Sequence, residues 1–360
     1  MANLRQRADI AREPRNFKGL REATPGRAAQ GIFGEPMSEP TPEPTPELPA
    51  LPALPALPGL TTMTYEVTGK IARITLNRPE RGNGITLELP RELAACVERA
   101  NLDPRVHVIA LAGNGKGFCG GYDLAASAEG QMREVATSVA YPGGPTDPEV
   151  IAANHDPAQV WDPTVDYAMM SRNVRGFMSL FHGDKPVVCK VHGFCVAGGT
   201  DLALCSDLLI IEDDAKIGYP PARVWGVPTT ALWVHRIGLE RAKRLLLTGD
   251  CLSGKEAVAW GLAIEHAPRA ELDARFEALL QRIARLPLSQ LIMHKLLLNQ
   301  TIAAQGLYTT QALATYFDGI ARHTAEGYAF ARRAQEAGFR AAVSERDAPF
   351  GDAGPSTFKG

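Results

Sequence analysis

The chain has no long apolar run, no surplus of positive charge and few cysteines, and each shortage removes a class of function. No apolar stretch approaches the roughly 20 residues that a membrane-spanning helix needs. With Lys+Arg at 38 and Asp+Glu at 40, the formal charge of −2 leaves no basic excess for nucleic acid or an anionic membrane. A local basic patch for a phosphorylated ligand stays open. The six cysteines (Cys96, Cys119, Cys189, Cys195, Cys205, Cys251) include no CxxC pair and no nearby histidine pair. That argues against zinc and against a disulfide framework, and for a reducing, cytoplasmic setting.

What remains is ordinary for a globular protein: 45% hydrophobic and 22% charged over 360 residues, enough for one large domain or two. The first 62 residues are the exception. An arginine-rich stretch (Arg5, Arg7, Arg12, Arg15, Lys18, Arg21) runs into Pro-Glu-Pro-Thr-Pro-Glu and repeated Leu-Pro-Ala. Proline at every third position blocks helix and sheet ladders, so residues 1–62 are expected to be a disordered tail. A transit peptide is the alternative, against which stand Asp9, Glu13 and Glu22. Met63 is a candidate start.

Organised sequence follows. Tyr65–Thr68 and Ile71–Leu76 read as a hairpin around Gly69-Lys70. Thr86 to Ala100 has helical spacing, with Thr86 as the expected N-cap. Val106–Ala112, Val187–Val191 and Leu208–Ile211 read as buried strands. Residues 125–164 are irregular and read as a functional lid or a disordered loop, and Asp166 to His182 as a helix. Helical patterns then cover 240–247, 254–260, 271–286, 289–304 and 309–326. Alternating strands and helices indicate an α/β core with a largely parallel sheet. The division expected is a tail (1–62), an α/β core (63–265) and a helical C-terminal region (266–360) for assembly and site cover.

Two glycine turns stand out: Phe118-Cys119-Gly120-Gly121-Tyr122-Asp123-Leu124 and His192-Gly193-Phe194-Cys195-Val196-Ala197-Gly198-Gly199-Thr200-Asp201. Each leaves a strand and enters a helix. Glycine lets backbone approach a ligand, and a helix start leaves N–H groups unpaired. Facing each other, such turns hold one oxyanion between two backbone donors, which points to chemistry on a carbonyl. Cys119 has no basic partner in view and reads as a packing residue.

These turns, with Leu76-Asn77-Arg78-Pro79, Lys185-Pro186-Val187-Val188, Asp207, Ala215-Lys216-Ile217-Gly218, Leu247-Thr248-Gly249, Gly338-Phe339 and Glu345-Arg346, resemble the crotonase superfamily, the enoyl-CoA hydratase/isomerase family. The resemblance runs from about Met63 to about Asp352. It implies a spiral of ββα turns with a helical C-terminal region, packed as homotrimers or pairs of trimers. It implies an acyl-CoA substrate, with coenzyme A entering only as part of it and no metal or redox cofactor. By position, Tyr122 and Gly198 supply the oxyanion N–H groups, with Gly121 and Gly199 beside them.

The chain departs from the family where hydratases carry two glutamates. The first position is Asp201 and the second is Pro221. Asp201 keeps a carboxylate on an arm shorter by about 1.5 Å, and misplacement on that scale can cost about a hundredfold in rate. Pro221 carries no proton. A substitute acid/base is sought among Tyr219, Asp166, His155 and Asp156. The other readings are a different acyl-CoA reaction (hydrolysis or carbon–carbon cleavage), binding without turnover, and a partner in a mixed assembly. Trp225 falls where relatives line the acyl pocket, while Thr229 and Thr230 are candidate donors or helix caps. Arg78, Arg81 and Lys116 fall near the coenzyme phosphates in relatives, and Gly84 near the adenine. Arg332, Arg333, Phe339 and Arg340 belong to the region that covers the coenzyme. Solvated surface explains each of these charges equally well.

Overall fold

The computed structural model describes residues 54, 56–123 and 141–351. The arginine- and proline-rich tail up to residue 53, residues 124–140 of the long loop and residues 352–360 lie outside the described residues.

Nine strands are described: β1 (Met63–Thr68), β2 (Ile71–Leu76), β3 (Val108–Gly113), β4 (Val187–Val191), β5 (Phe194–Val196), β6 (Leu208–Glu212), β7 (Lys216–Gly218), β8 (Cys251–Leu252) and β9 (Glu265–Ala267). Six form one sheet in the order β1-β2-β3-β4-β6-β9, and β5-β7-β8 form a second, smaller one. The hairpin β1–β2 is antiparallel with Thr68 opposite Ile71, and the rest of the large sheet is parallel. Gly69 turns this hairpin at φ +59.

Twelve helices accompany the strands among the described residues. They are α1 (Leu89–Leu102), α2 (Pro148–Asn154), α3 (Pro163–His182), α4 (Gly198–Leu204), α5 (Trp233–Ile237), α6 (Leu239–Leu246), α7 (Gly254–Ala259), α8 (Arg269–Ala284), α9 (Leu288–Ala304), α10 (Leu307–Arg322), α11 (Ala325–Ala337) and α12 (Phe339–Asp347). The run β4-β5-α4, in which a long-sheet strand feeds a short-sheet strand and then a helix, is one ββα turn of the expected spiral. None of these helices is long and apolar enough to cross a membrane.

The central strands read as unbroken apolar runs because helices cover both faces of the sheet. Successive side chains alternate between the faces. Val108, Ala110, Val188 and Ile210 pack with Leu272, Phe276 and Leu280 of α8. Ile109, Leu111, Val187, Cys189, Leu209 and Ile211 pack in the larger cluster with Leu93, Val97 and Phe177 of α1 and α3. Each fully buried Leu, Ile or Phe contributes about 1.5–3 kcal/mol.

Two buried charges tie the elements together. Lys185 donates to the carbonyls of Ala100 (2.6 Å) and Asp103 (2.5 Å), and burial lowers its pKa to about 8. Glu92, fully buried on α1, accepts four hydrogen bonds of 2.6–2.9 Å from the N–H and hydroxyl groups of Thr61 and Thr62. Packed chain therefore begins before Met63, and Leu57 and Leu60 also rest on the core.

Three local expectations are corrected. Thr86 does not cap α1, which starts at Leu89 with Pro90 in its first turn. The chain at Ile85 is still extended, bridged to Tyr122 by Ile85 N–H to Gly121 O (2.9 Å) and Asp123 N–H to Ile85 O (3.0 Å). The loop before α3 contains α2, and Asp162 caps α3 through Thr164 N–H (2.8 Å). The helix expected through Glu326 breaks after Arg322, because the Thr324 hydroxyl accepts Gly327 N–H (3.1 Å) and starts α11. At the other junction, the sheet closes with β9, just past the expected core boundary at residue 265.

Candidate active site

The two glycine turns meet. Cys119 and Cys195 form a parallel bridge, with Cys119 N–H on Phe194 O (3.2 Å) and Val196 N–H on Cys119 O (3.1 Å). A Cβ on Gly121 would lie 2.7 Å from Ala197 Cβ, and one on Gly199 would lie 2.5 Å from Cys119 O. Only glycine allows that approach. Gly121 and Gly199 are therefore spacers between the turns, and neither lines the cavity beside them.

Ala197 sits at φ +54, ψ −132, a conformation that costs a non-glycine residue about 1–3 kcal/mol. The twist is held by Ala197 N–H on Gly218 O (3.1 Å), and it starts α4 with Gly198 as first residue. As a first-turn amide, Gly198 N–H has no intrahelical acceptor. The Ile85 bridge uses the neighbours of Tyr122 and leaves its own N–H facing away. Neither N–H has a hydrogen-bond partner among the described residues.

Tyr122 and Gly198 line a cavity of about 530 Å³. Tyr219, Pro221 and Trp225 line it too, as do Phe330, Phe339 and Arg340 from α11 and α12. The last helix is held here by Arg223, which is 1% exposed and pairs with both Asp250 and Asp347 at 3.1 Å. Arg332 and Arg333 stay exposed, Arg333 pairing with Glu345 at 2.6 Å.

Asp201, in the first turn of α4, is 1% exposed and lies just outside the cavity wall. Its Oδ1 accepts Thr230 N–H (3.0 Å) and Thr230 Oγ1–H (2.8 Å), while Oδ2 is buried without a partner among the described residues. Burial pushes its carboxyl up to about 7; the Thr230 bonds pull against that, and Asp318 pushes further. Thr230 is thus a clamp on Asp201 and not a cap, since α5 starts at Trp233 with no side-chain cap. Burial, with Asp201 and Asp318 nearby, also holds the phenols of Tyr122 and Tyr219 well above their ordinary range. Both stay neutral, so Tyr219 offers an O–H on the wall but no base.

Sequence reasoning missed Asp318 and Arg322. Both line the cavity from α10, paired at 2.6 Å, and Val227 N–H donates to Asp318 at 3.2 Å. In sequence they are an Asp and an Arg four apart on a helix, the commonest signature of a solvated face.

Asp166 and His155 do not reach the cavity wall. Asp166 is buried, and its Oδ2 accepts from Trp161 (2.8 Å), His323 (2.9 Å) and Asn154 (3.1 Å). His155 packs between Trp225 and His323, and burial lowers its pKa to about 4, with Arg322 adding to the effect. His155, Asp166 and His323 place possible metal-ligand atoms within 4.8 Å of one another. Asp166 Oδ2 and His323 Nε2 are already bonded to each other, however, and the Arg322 charge is close. Asp156 is exposed and accepts Ala158 N–H in a turn.

Arg78, Arg81, Gly84 and Lys116, expected near the coenzyme phosphates and adenine, also lie off the cavity. Arg78 donates to Gly84 O and to Asp123 (both 2.9 Å), and Arg81 pairs with Asp123 at 3.3 Å. Lys116 is exposed. Cys119 is fully buried with its thiol pushed up to about 12, as befits a packing residue.

The sequence model described as enoyl-CoA hydratase/isomerase matches residues 66–141 and 152–335. A crystal structure of an enoyl-CoA hydratase from Mycobacterium smegmatis is 55% identical, covering 84% of this chain and 98% of that one, with a TM-score of 0.77. An enoyl-CoA hydratase/isomerase structure from Xanthobacter autotrophicus Py2 is 28% identical over 81% of this chain and 98% of its own, with a TM-score of 0.66. A putative enoyl-CoA hydratase of Thermus thermophilus is 29% identical over 265 residues, 72% of this chain and 91% of that protein. In fold and in sequence, this chain belongs to the enoyl-CoA hydratase/isomerase family.

Proposed function

We propose that the protein binds an acyl-CoA thioester and works through its enolate, as an enzyme of the hydratase/isomerase type. The observation that carries this reading is the pair of unpartnered N–H groups, Tyr122 and Gly198, on one wall of the cavity. They receive the thioester oxygen as charge builds on it, each worth about 3–4 kcal/mol in the transition state. Asp201 takes or returns the proton at the carbon next to the carbonyl. A carboxyl near 7 suits that task, since both of its forms are populated at neutral pH. Trp225 and Phe330, with ring centroids 6.1 Å apart, shape the acyl end.

The six cysteines, all buried and none in a disulfide, fit a reducing, cytoplasmic setting. Assembly as a trimer or pair of trimers uses the apolar side chains left exposed on α9 and α10, among them Leu297 (67%), Leu298 (65%), Leu313 (51%) and Phe317 (47%). Light scattering on the purified protein reads that state directly.

The chemistry is tested in deuterated water with a panel of saturated and unsaturated acyl-CoAs, read by mass spectrometry. Deuterium uptake next to the carbonyl by the native protein, lost in Asp201→Asn, is the expected result. Tight binding of the panel without uptake overturns the enolate reading.

A further inference from the structure

Adding water to an enoyl thioester moves two protons. One leaves water as its oxygen bonds to the β-carbon, and one arrives at the α-carbon. Asp201 serves one of these transfers, and Pro221 has no titratable atom for the other.

The geometry points to Asp318, on α10, as the second acid/base group for hydration in this cavity. The inference rests on the function proposed above and adds the residue that would complete hydration. Asp318 is 6% exposed at its side chain and lies on the cavity wall with Tyr122, Tyr219 and Pro221. Each of its oxygens receives one hydrogen bond, Oδ1 from Val227 N–H and Oδ2 from Arg322, so each keeps a further acceptor site. It is close enough to Asp201 to raise that carboxyl, and both tyrosines feel both carboxylates.

The other carboxylate on the wall is Asp347, which is held by two guanidinium groups. Arg346 takes both of its oxygens at 2.8 Å and Arg223 adds a third bond at 3.1 Å. These guanidinium bonds hold the Asp347 carboxyl below its ordinary range, although burial works against them. A buried ion pair facing a largely apolar cavity also costs desolvation that a surface pair avoids, which marks the Asp318–Arg322 pair as more than a helix-face contact.

In the forward step, Asp318 accepts a proton from water while the water oxygen bonds to the β-carbon. The carbon–carbon π pair moves toward the thioester, whose oxygen rests on the Tyr122 and Gly198 N–H groups. The α-carbon takes its proton from the Asp201 carboxyl. The product holds one hydrogen and one hydroxyl more than the substrate. Asp201 ends ionised and Asp318 protonated, and exchange with solvent resets the pair.

The test compares two reactions on one protein: hydration of a panel of 2-enoyl-CoAs of increasing chain length, and deuterium exchange into saturated acyl-CoAs. Exchange needs the oxyanion donors and Asp201 but not Asp318. Asp318→Asn is expected to lower hydration by about a hundredfold or more and exchange by much less, so that the ratio of hydration to exchange falls by about tenfold or more. Asp318→Glu, which keeps a carboxylate but not the shape, should retain more hydration than the isosteric Asn. Equal loss of both reactions in Asp318→Asn, hydration within about threefold of native, or Asn outperforming Glu, each overturns the assignment. Native exchange without hydration also overturns it, while leaving the enolate function intact; absence of native exchange removes the function on which it rests.

Discussion

Thr230 grips a single oxygen of Asp201 twice, with its N–H at 3.0 Å and its hydroxyl at 2.8 Å, and leaves the other oxygen buried without a partner among the described residues. A carboxyl held this way is oriented but poorly solvated, which is how one aspartate comes to titrate near neutrality.

That arrangement has a stability cost with a definite sign. The folded-state pKa of Asp201, about 7, lies above the ordinary carboxyl value of 3.8, so the folded chain holds a proton that the unfolded chain has lost. The contribution is fully present below pH ~4 and is lost as pH rises to about 7. Asp201→Asn should therefore raise stability relative to native at pH 8 by up to about 4 kcal/mol, read as a higher thermal midpoint. The gain should fade on acidification toward pH 4. A gain that does not depend on pH would contradict this.

Thr230→Val removes the hydroxyl donor and keeps the backbone one. Hydrogen bonds to a charged group are worth about 1.5–3 kcal/mol, so the Asp201 ionisation should move up by about one unit. The pH–rate profile for deuterium exchange is the measurement, with the low-pH limb displaced to higher pH.

Gly121→Ala places a methyl 2.7 Å from Ala197 Cβ, at φ +97 where an L side chain is already strained. The two turns must part. Since the pair of N–H groups depends on their spacing, kcat/KM should fall by about a hundredfold, with a smaller loss in the thermal midpoint.

Glu92→Ala strips the acceptor from four hydrogen bonds and leaves the donors of Thr61 and Thr62 orphaned beneath α1. We expect a loss of about 2–4 kcal/mol in denaturant unfolding, together with faster amide exchange over residues 61–68 as the segment feeding β1 is released. Activity per folded molecule should hold, because Glu92 is not on the cavity wall.

Much of the fold is legible in local sequence. The hairpin of β1 and β2, the apolar strands β3, β4 and β6 and the helices from α6 to α9 are carried by period and turn chemistry, and they appear with their ends moved by a residue or two. Helix ends were harder where a non-local contact decided them. Thr86 looked like a cap by residue type, but the bridge between Ile85 and Tyr122 keeps that stretch extended.

The candidate site divides the same way. Tyr122, Gly198, Tyr219, Pro221 and Trp225 are legible because they belong to short motifs whose spacing survives in the chain, and all five line the cavity. Asp166 and His155 were among the substitutes sought, yet Trp161, His323 and Asn154 absorb Asp166 away from the cavity wall.

Sequence by itself determined the family, the two glycine turns and the residues Asp201 and Pro221 that follow their motifs, because each is a matter of residue type at a fixed local spacing. Tertiary structure alone decided which carboxylates lie on the cavity wall. Asp318 is far from Asp201 along the chain, and its helical pattern with Arg322 is that of a solvated face. Only the packing of α10, α11 and α12 over the glycine turns removes that face from water and sets its charge beside the pocket.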